Sequence, residues 1–205
     1  MKNSLLLAAA LLLAAPAAFA QAPAGASQAA PLTATALAVG DKAPDFSATD
    51  VAGQPIALQK LLKKGPVVLY FYRGQWCPYC NKQLSQLQDS LQLLTAKGAQ
   101  VVVVSPETQA NVAKTVAKTK ASFPIIHDQD FAIMKAYHTA FTVDDAMTQK
   151  YQSFGVNLKQ ANGVDVNVLP VPATYVIGKD GKIKYAYFNP DFKHRATVKA
   201  VAQAL

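Results

Sequence analysis

Apolar positions along the chain follow three patterns, and each predicts a different kind of element. The first is the uninterrupted run. Pro66–Tyr72 (PVVLYFY) and Gln100–Val104 (QVVVV) hold almost no polar residue, as strands covered on both faces of a sheet require. Phe123–His127 and Ala173–Gly178 (ATYVIG) are shorter runs of the same kind. Ile183–Phe188 returns after Lys179-Asp180-Gly181-Lys182, and the central Asp-Gly is hairpin chemistry. The second pattern has helical period. Leu84, Leu87, Leu91 and Leu94 recur at steps of three and four, which predicts one helix over 77–97 stopped by Lys97-Gly98. Ser105-Pro106-Glu107 reads as the start of another helix, with Ser105 as N-cap, Pro106 in the first helical position and an acid in the first turn, running to about Lys120. Leu58–Lys63 has room for one or two turns. Helical stretches follow near 130–138 and 144–154, and their apolar residues Phe131, Ile133, Met134 and Tyr137 read as core. A last helix is expected over 194–204. No internal repeat is present. Strands and helices alternate until the terminal hairpin, so the expected fold is α/β: a three-layer α/β/α sandwich with a mixed sheet, closed by a C-terminal β-hairpin plus helix.

The third pattern is confined to the N-terminus. Lys2 precedes a continuous apolar run, Leu5–Ala15, and Ala18-Phe19-Ala20 fits a small-x-small cleavage site. Residues 1–20 therefore read as a secretory signal peptide cut after Ala20, with an uncleaved membrane anchor as the alternative. Pro16 and the cleavage site favour the signal. Residues 21–38 are Ala, Pro, Gly, Ser and Thr without period and read as a flexible tether. The domain is expected over 39–205. After cleavage no stable membrane insertion is expected, and the protein would be exported, periplasmic or secreted.

Composition narrows the classes. Of 205 residues, 51% are hydrophobic and 16% charged, which suits one packed domain and excludes overall disorder. The formal charge of +8 raises nucleic acid as a partner. The lysines are scattered, however, and several (Lys114, Lys118, Lys120) fall on solvated helix faces, so no nucleic-acid partner is expected. There is no G-x-S-x-G elbow and no Gly-rich phosphate loop. A zinc site would need two ligands beyond Cys77 and Cys80. His127, His138 and His194 have no paired spacing, so no metal is expected.

The two cysteines are the chemistry. Three residues apart, they close too short a loop to staple a fold. They sit where the buried strand PVVLYFY passes through Arg73-Gly74-Gln75-Trp76 into Cys77-Pro78-Tyr79-Cys80 and a helix. A sulfur at a helix N-terminus faces unpaired N–H groups and the positive end of the macrodipole, which favour thiolate. Cys77, at the first turn, is expected to be exposed and nucleophilic. Cys80, beneath it, is expected to close the disulfide. Arg73 adds positive charge if it folds back, and Pro78 suits the first turn.

WCPYC after a buried strand resembles the thioredoxin-fold redox motif. The wider chain resembles the alkyl hydroperoxide reductase and thiol-specific antioxidant family, in its peroxiredoxin-like branch, through VGDKAPDF, VVLYFYRGQWCPYC, VVVVSPE and VPATYVIGKDGKI. The thioredoxin resemblance implies a cis bond before Pro172, with the Val171–Pro172 backbone pairing with a substrate chain. It implies that Trp76 shields the pair and that Tyr79 tunes its potential. It also implies a buried acid under Cys80, yet Phe71 stands at that place. The peroxiredoxin resemblance places Cys80 at the peroxidatic position, Cys77 where a threonine is usual, Arg73 where a proline is usual and Pro172 where an arginine is usual. The expected function is thiol–disulfide exchange through Cys77 and Cys80, without a prosthetic group. Partners would be thiol or disulfide proteins, or a thioredoxin-like electron donor. The alternatives are a hydroperoxide-reducing peroxidase, with Cys80 peroxidatic and Cys77 resolving, and a non-catalytic binding module.

Overall fold

The computed structural model describes residues 32–205. Residues 1–20, read as a signal peptide, and 21–31, read as the first part of a tether, lie outside the described residues.

The chain opens with a small hairpin, β1 (Ser47–Thr49) and β2 (Pro55–Ala57), followed by α1 (Leu58–Lys64). Then come β3 (Val67–Phe71), α2 (Pro78–Asp89), α3 (Gln92–Thr95), β4 (Gln100–Ser105), α4 (Gln109–Thr119), β5 (Ile125–His127) and α5 (Ala132–Ala136). A second part holds β6 (Ala140–Thr142), α6 (Asp145–Ser153), α7 (Leu158–Asn162) and β7 (Val168–Pro170). The chain closes with β8 (Ala173–Ile177), β9 (Ile183–Phe188) and α8 (Val198–Gln203).

The main sheet has the order β5-β4-β3-β8-β9. β3, β4 and β5 run parallel, while β8 and β9 are antiparallel to their neighbours, so the sheet is mixed. Every residue of β3 is buried, and strand alternation sends them to opposite faces. Val67, Leu69 and Phe71 join Leu58 and Leu62 of α1 and Ile133 and Met134 of α5. Val68, Tyr70 and Tyr72 join Leu84 and Leu87 of α2, Leu94 of α3, Val112 of α4 and Val201 of α8. These two cores on either side of one sheet are the three layers expected from the sequence.

Three boundaries differ from the sequence reading, each for a local reason. The long helix breaks at Ser90: Leu91, Leu93 and Leu94 donate to the carbonyls of Gln88, Ser90 and Leu91, three residues back, so the turn tightens before α3. Helix α4 does not start at Ser105. That residue ends β4, its hydroxyl accepts from Glu107 N–H, and Thr108 is the cap, accepting from Asn111 N–H at 3.3 Å. The last helix begins at Val198, not near 194. Asn189 and Asp191 accept from the N–H groups of Asp191 and Lys193 and hold residues 189–197 as a loop. Contacts with the domain also begin before Val39. Leu32 N–H donates to Thr142 Oγ1, Thr142 N–H donates to Leu32 C=O, and Leu37 packs on the core.

Candidate active site

Parallel neighbours β3 and β4 deliver their C-terminal ends to one edge of the sheet. Beyond β3 the chain stays extended for one more residue, as Tyr72 N–H donates to Val104 C=O. It then forms the loop 73–77. Gly74 is required there by close approach: a Cβ would lie 2.4 Å from Trp76 Nε1 and 2.7 Å from Glu107 Oε1. The loop closes through Cys77 N–H to Gly74 C=O, and Cys77 becomes the N-cap of α2, with Pro78 in the first turn.

The capping sulfur does the work usually done by a serine or aspartate oxygen. Cys77 Sγ accepts from Cys80 N–H at 3.4 Å and from Arg73 Nη2 at 3.1 Å. The two cysteines are not bonded to each other, so the site is in its dithiol form. The Cys80 thiol donates to the Cys77 sulfur. That bond, the Arg73 charge and hydrogen bond, and the Cys80 N–H together outweigh burial and bring Cys77 down to about 5. Cys80 moves the other way. Burial, the bond it donates and the Cys77 charge push it well up, against Arg195 and Arg73. One sulfur is therefore poised as thiolate and the other as thiol.

Arg73 folds back onto the pair, and it is almost wholly buried. Its Nη1 donates to Tyr151 Oη at 2.8 Å, and its guanidinium lies 3.7 Å from the Phe192 ring centroid and 5.1 Å from that of Trp76. Burial opposes its charge, but Cys77 and Cys80 hold it firmly protonated. Tyr79 is 39% exposed and packs edge-on against Phe192. Trp76 packs edge-on against Tyr151. An apolar hollow of about 420 Å³ opens over Arg73, walled by Trp76, Pro78, Tyr79, Met147, Phe154 and Phe192.

Several sequence expectations are corrected here. Cys77 is not exposed: both cysteines have 0% exposure, because loop 73–77, Tyr151 and loop 189–197 close over them. The Val171–Pro172 bond is trans, as is every peptide bond among the described residues. The chain passes extended from β7 into β8, and Val171 N–H is already held by Thr139 C=O at 2.8 Å. That donor is not free for a substrate backbone. Val171 and Pro172 still reach the site, lining a smaller hollow of about 200 Å³ beside Arg73 and Phe192. Trp76, Pro78, Tyr79 and Arg73 lie around the dithiol.

The sequence reading missed Arg195, Glu107, Tyr151 and Phe192. Arg195 reaches in from loop 189–197 and donates from Nη2 to Cys80 Sγ at 3.6 Å. It supplies, from another element, a cation that Pro172 cannot. Glu107 is fully buried, and its Oε2 accepts from Gln75 N–H at 2.6 Å. The signal for Glu107 was present: residues that directly follow two parallel neighbouring strands meet at the same edge.

Comparisons with known proteins bear on this arrangement. The family model described as "AhpC/TSA family" matches residues 39–186. A Mycobacterium tuberculosis protein named "Putative peroxiredoxin" is 31% identical over 155 residues, covering 76% of this chain and 87% of its own length. The thiol-disulfide oxidoreductase ResA of Geobacillus kaustophilus is 28% identical over 151 residues, covering 73% of this chain and 69% of its own. Among solved structures, the peroxidoxin BcpB of M. tuberculosis superimposes with a TM-score of 0.64 at 21% identity, over 81% of this chain and 94% of its own. A solution structure titled as a putative protein disulfide isomerase from Bacteroides thetaiotaomicron gives 0.58 at 17% identity, over 84% and 90%.

Proposed function

This chain belongs to the AhpC/TSA family, and from that premise we propose that it is an oxidoreductase that exchanges disulfides through Cys77 and Cys80. The carrying observation is the asymmetry of the pair: Cys77 caps a helix with an arginine on its sulfur, while Cys80 is a buried thiol beneath it. The Cys77 thiolate attacks one sulfur of a partner disulfide. A new bond joins Cys77 to that sulfur, and the other partner sulfur leaves with the electron pair and takes up a proton. Cys80 then loses its proton and attacks the Cys77 sulfur. The Cys77–Cys80 bond forms, the mixed disulfide breaks, and the partner departs as a dithiol. A thiol protein restores the pair by the same steps. Run backwards, the cycle oxidises a partner dithiol, and the direction depends on relative reduction potentials.

Both sulfurs are covered in the dithiol form, so a partner must first lift Phe192 and Tyr151 off Arg73. Trapping tests the assignment. Cys80→Ser should accumulate a mixed disulfide with a model disulfide peptide, and Cys77→Ser should accumulate none. A mixed disulfide formed through Cys80 in Cys77→Ser would overturn the order of attack.

A second reading, reduction of hydroperoxides with Cys80 peroxidatic and Cys77 resolving, is favoured by Arg195 on the Cys80 sulfur. Against it stands the raised pKa of Cys80, because a peroxide is attacked by thiolate. Stopped-flow mixing with hydrogen peroxide separates the two. Exchange requires a reaction no faster than that of a free thiolate, and rapid turnover lost in Cys80→Ser supports the peroxidase. We also propose export, on the strength of Lys2, Leu5–Ala15 and the Ala18-Phe19-Ala20 site. N-terminal sequencing of the protein recovered outside the cytoplasm should begin at Gln21.

A further inference from the structure

Helix α6 buries none of its residues, yet its apolar positions are ordered. Met147, Tyr151 and the C-cap Phe154 follow one another at steps of four and three, which sets them on one face. All three wall the hollow of about 420 Å³, so the stripe looks across at Tyr79 and Phe192 rather than into a core. Six large apolar side chains stand out as exposed among the described residues, and Tyr79, Met147 and Phe154 are three of them. Single exposed apolar residues are ordinary on a protein surface. Three gathered around one hollow, with Phe154 72% exposed, mark a face that something apolar covers.

The position and charge of the hollow say what that is. It opens over Arg73, whose Nη2 donates to Cys77 Sγ, so a molecule that brings a disulfide to Cys77 must seat the groups beside its own sulfur there. The charged side chains of its wall are Arg73 and Lys150, with no carboxylate. Lys150 is exposed and forms no ion pair among the described residues. The smaller hollow beside Val171 and Pro172 shares Arg73, Met147, Tyr151 and Phe192 with it, and it too has no carboxylate. Lifting Tyr151 and Phe192 therefore joins the two into one apolar trough over Arg73, with positive charge at its floor and rim. Backbone pairing at Val171 is closed, because Thr139 C=O already holds its N–H. Recognition falls to side chains.

We propose that the α6 stripe of Met147, Tyr151 and Phe154 docks an extended segment of a partner chain, in which bulky apolar side chains flank the reacting cysteine and acidic ones lie further out, toward Lys150. This names the substrate class of the dithiol-exchange reading above and rests on it. A folded protein buries its large apolar side chains, so segments of this kind belong to chains that are not fully folded. The stripe touches the neighbours of the partner sulfur and takes no part in bond making. Cys77 still attacks that sulfur, the new disulfide forms, and the second partner sulfur leaves with the electron pair. What α6 contributes is affinity for the flanking side chains, whose removal from water raises the rate of attack roughly tenfold per docked aromatic ring.

The test uses short peptides whose central cysteine is joined to thionitrobenzoate, mixed with the reduced full-length protein and followed by stopped-flow absorbance. Thionitrobenzoate is the better leaving group, so Cys77 bonds to the peptide sulfur and the electron pair departs with the dye. Phenylalanine on both sides of the cysteine should raise the second-order rate roughly tenfold over alanine on both sides. Met147→Ser combined with Phe154→Ser should bring that ratio within twofold, and because α6 buries no residue these changes open no void in the core. Lys150→Glu should reverse the order of peptides that end in glutamate and in lysine. A wild-type ratio near one overturns the proposal, as does a ratio that survives the α6 substitutions or a charge preference that Lys150→Glu leaves in place. No dye released from any peptide would sink the exchange reading as well, whereas equal release from all of them leaves that reading standing and removes only the docking surface. A wild-type dimer that Phe154→Ser dissociates, with the peptide ratio near one, would give the stripe to a second copy of this chain instead.

Discussion

Arg73 is the residue on which the thiolate argument turns. It was legible as a nearby cation, but its depth was not. Its stacking under Phe192 and its bond to Tyr151 come from elements more than seventy residues away in sequence. Removing the charge while keeping the bulk, as Arg73→Met, should raise the Cys77 pKa by about one to two units, the scale of a charge-assisted hydrogen bond. The pH dependence of iodoacetamide alkylation measures this directly. Glu107 gives a second prediction at this scale, in stability. Its folded pKa is raised, so the stability it permits is present below the unfolded value of 4.5 and is lost as pH rises through about 8. Glu107→Gln should therefore gain melting temperature over wild type as pH climbs through that window. A constant difference across it would show that the carboxyl does not titrate there. Neither Glu107 nor Arg195 was identified from sequence as a site residue. A lone acid after a strand looks like a helix-start acid, and a lone arginine in a polar loop looks solvated.

At the scale of elements, the sequence told most where burial is two-sided. β3, β4, β8 and β9 sit within a residue or two of their expected bounds, because continuous Val, Ile, Leu and aromatic runs have few alternatives. The short pieces β1 and β2 showed only as extended segments around the Ala52-Gly53 turn, and β6 and β7 were not legible. Each is three residues long and forms only because it pairs with another. The helix ends moved where side chains captured backbone donors, at Thr108 and across 189–197. That last loop has a functional consequence. It carries Phe192 onto Arg73 and Arg195 onto Cys80, so it closes the dithiol off from solvent. Phe192→Ala should speed alkylation of Cys77 at neutral pH several-fold. No change in rate would mean that Tyr151 and Trp76 are the effective cover.

For the whole molecule, one sheet with a core on each face holds its chemistry at the edge where β3 and β4 both end. That placement couples redox state to stability. In the dithiol form Cys77 is depressed to about 5, so the stability its ionisation adds is full above the unfolded thiol range and is lost as pH falls through about 5. In the disulfide form that contribution is absent. The reduced protein should lose melting temperature relative to the oxidised protein as pH is lowered from 9 to 5. A gap independent of pH would contradict the linkage. The most direct measurement is thiolate absorbance of the reduced protein against pH, in wild type and in Cys77→Ser. The expected result is a single acidic midpoint near 5 that disappears in Cys77→Ser. A first midpoint in the free-cysteine range, or an acidic midpoint that survives that substitution, would contradict the claim that Cys77 is the nucleophile.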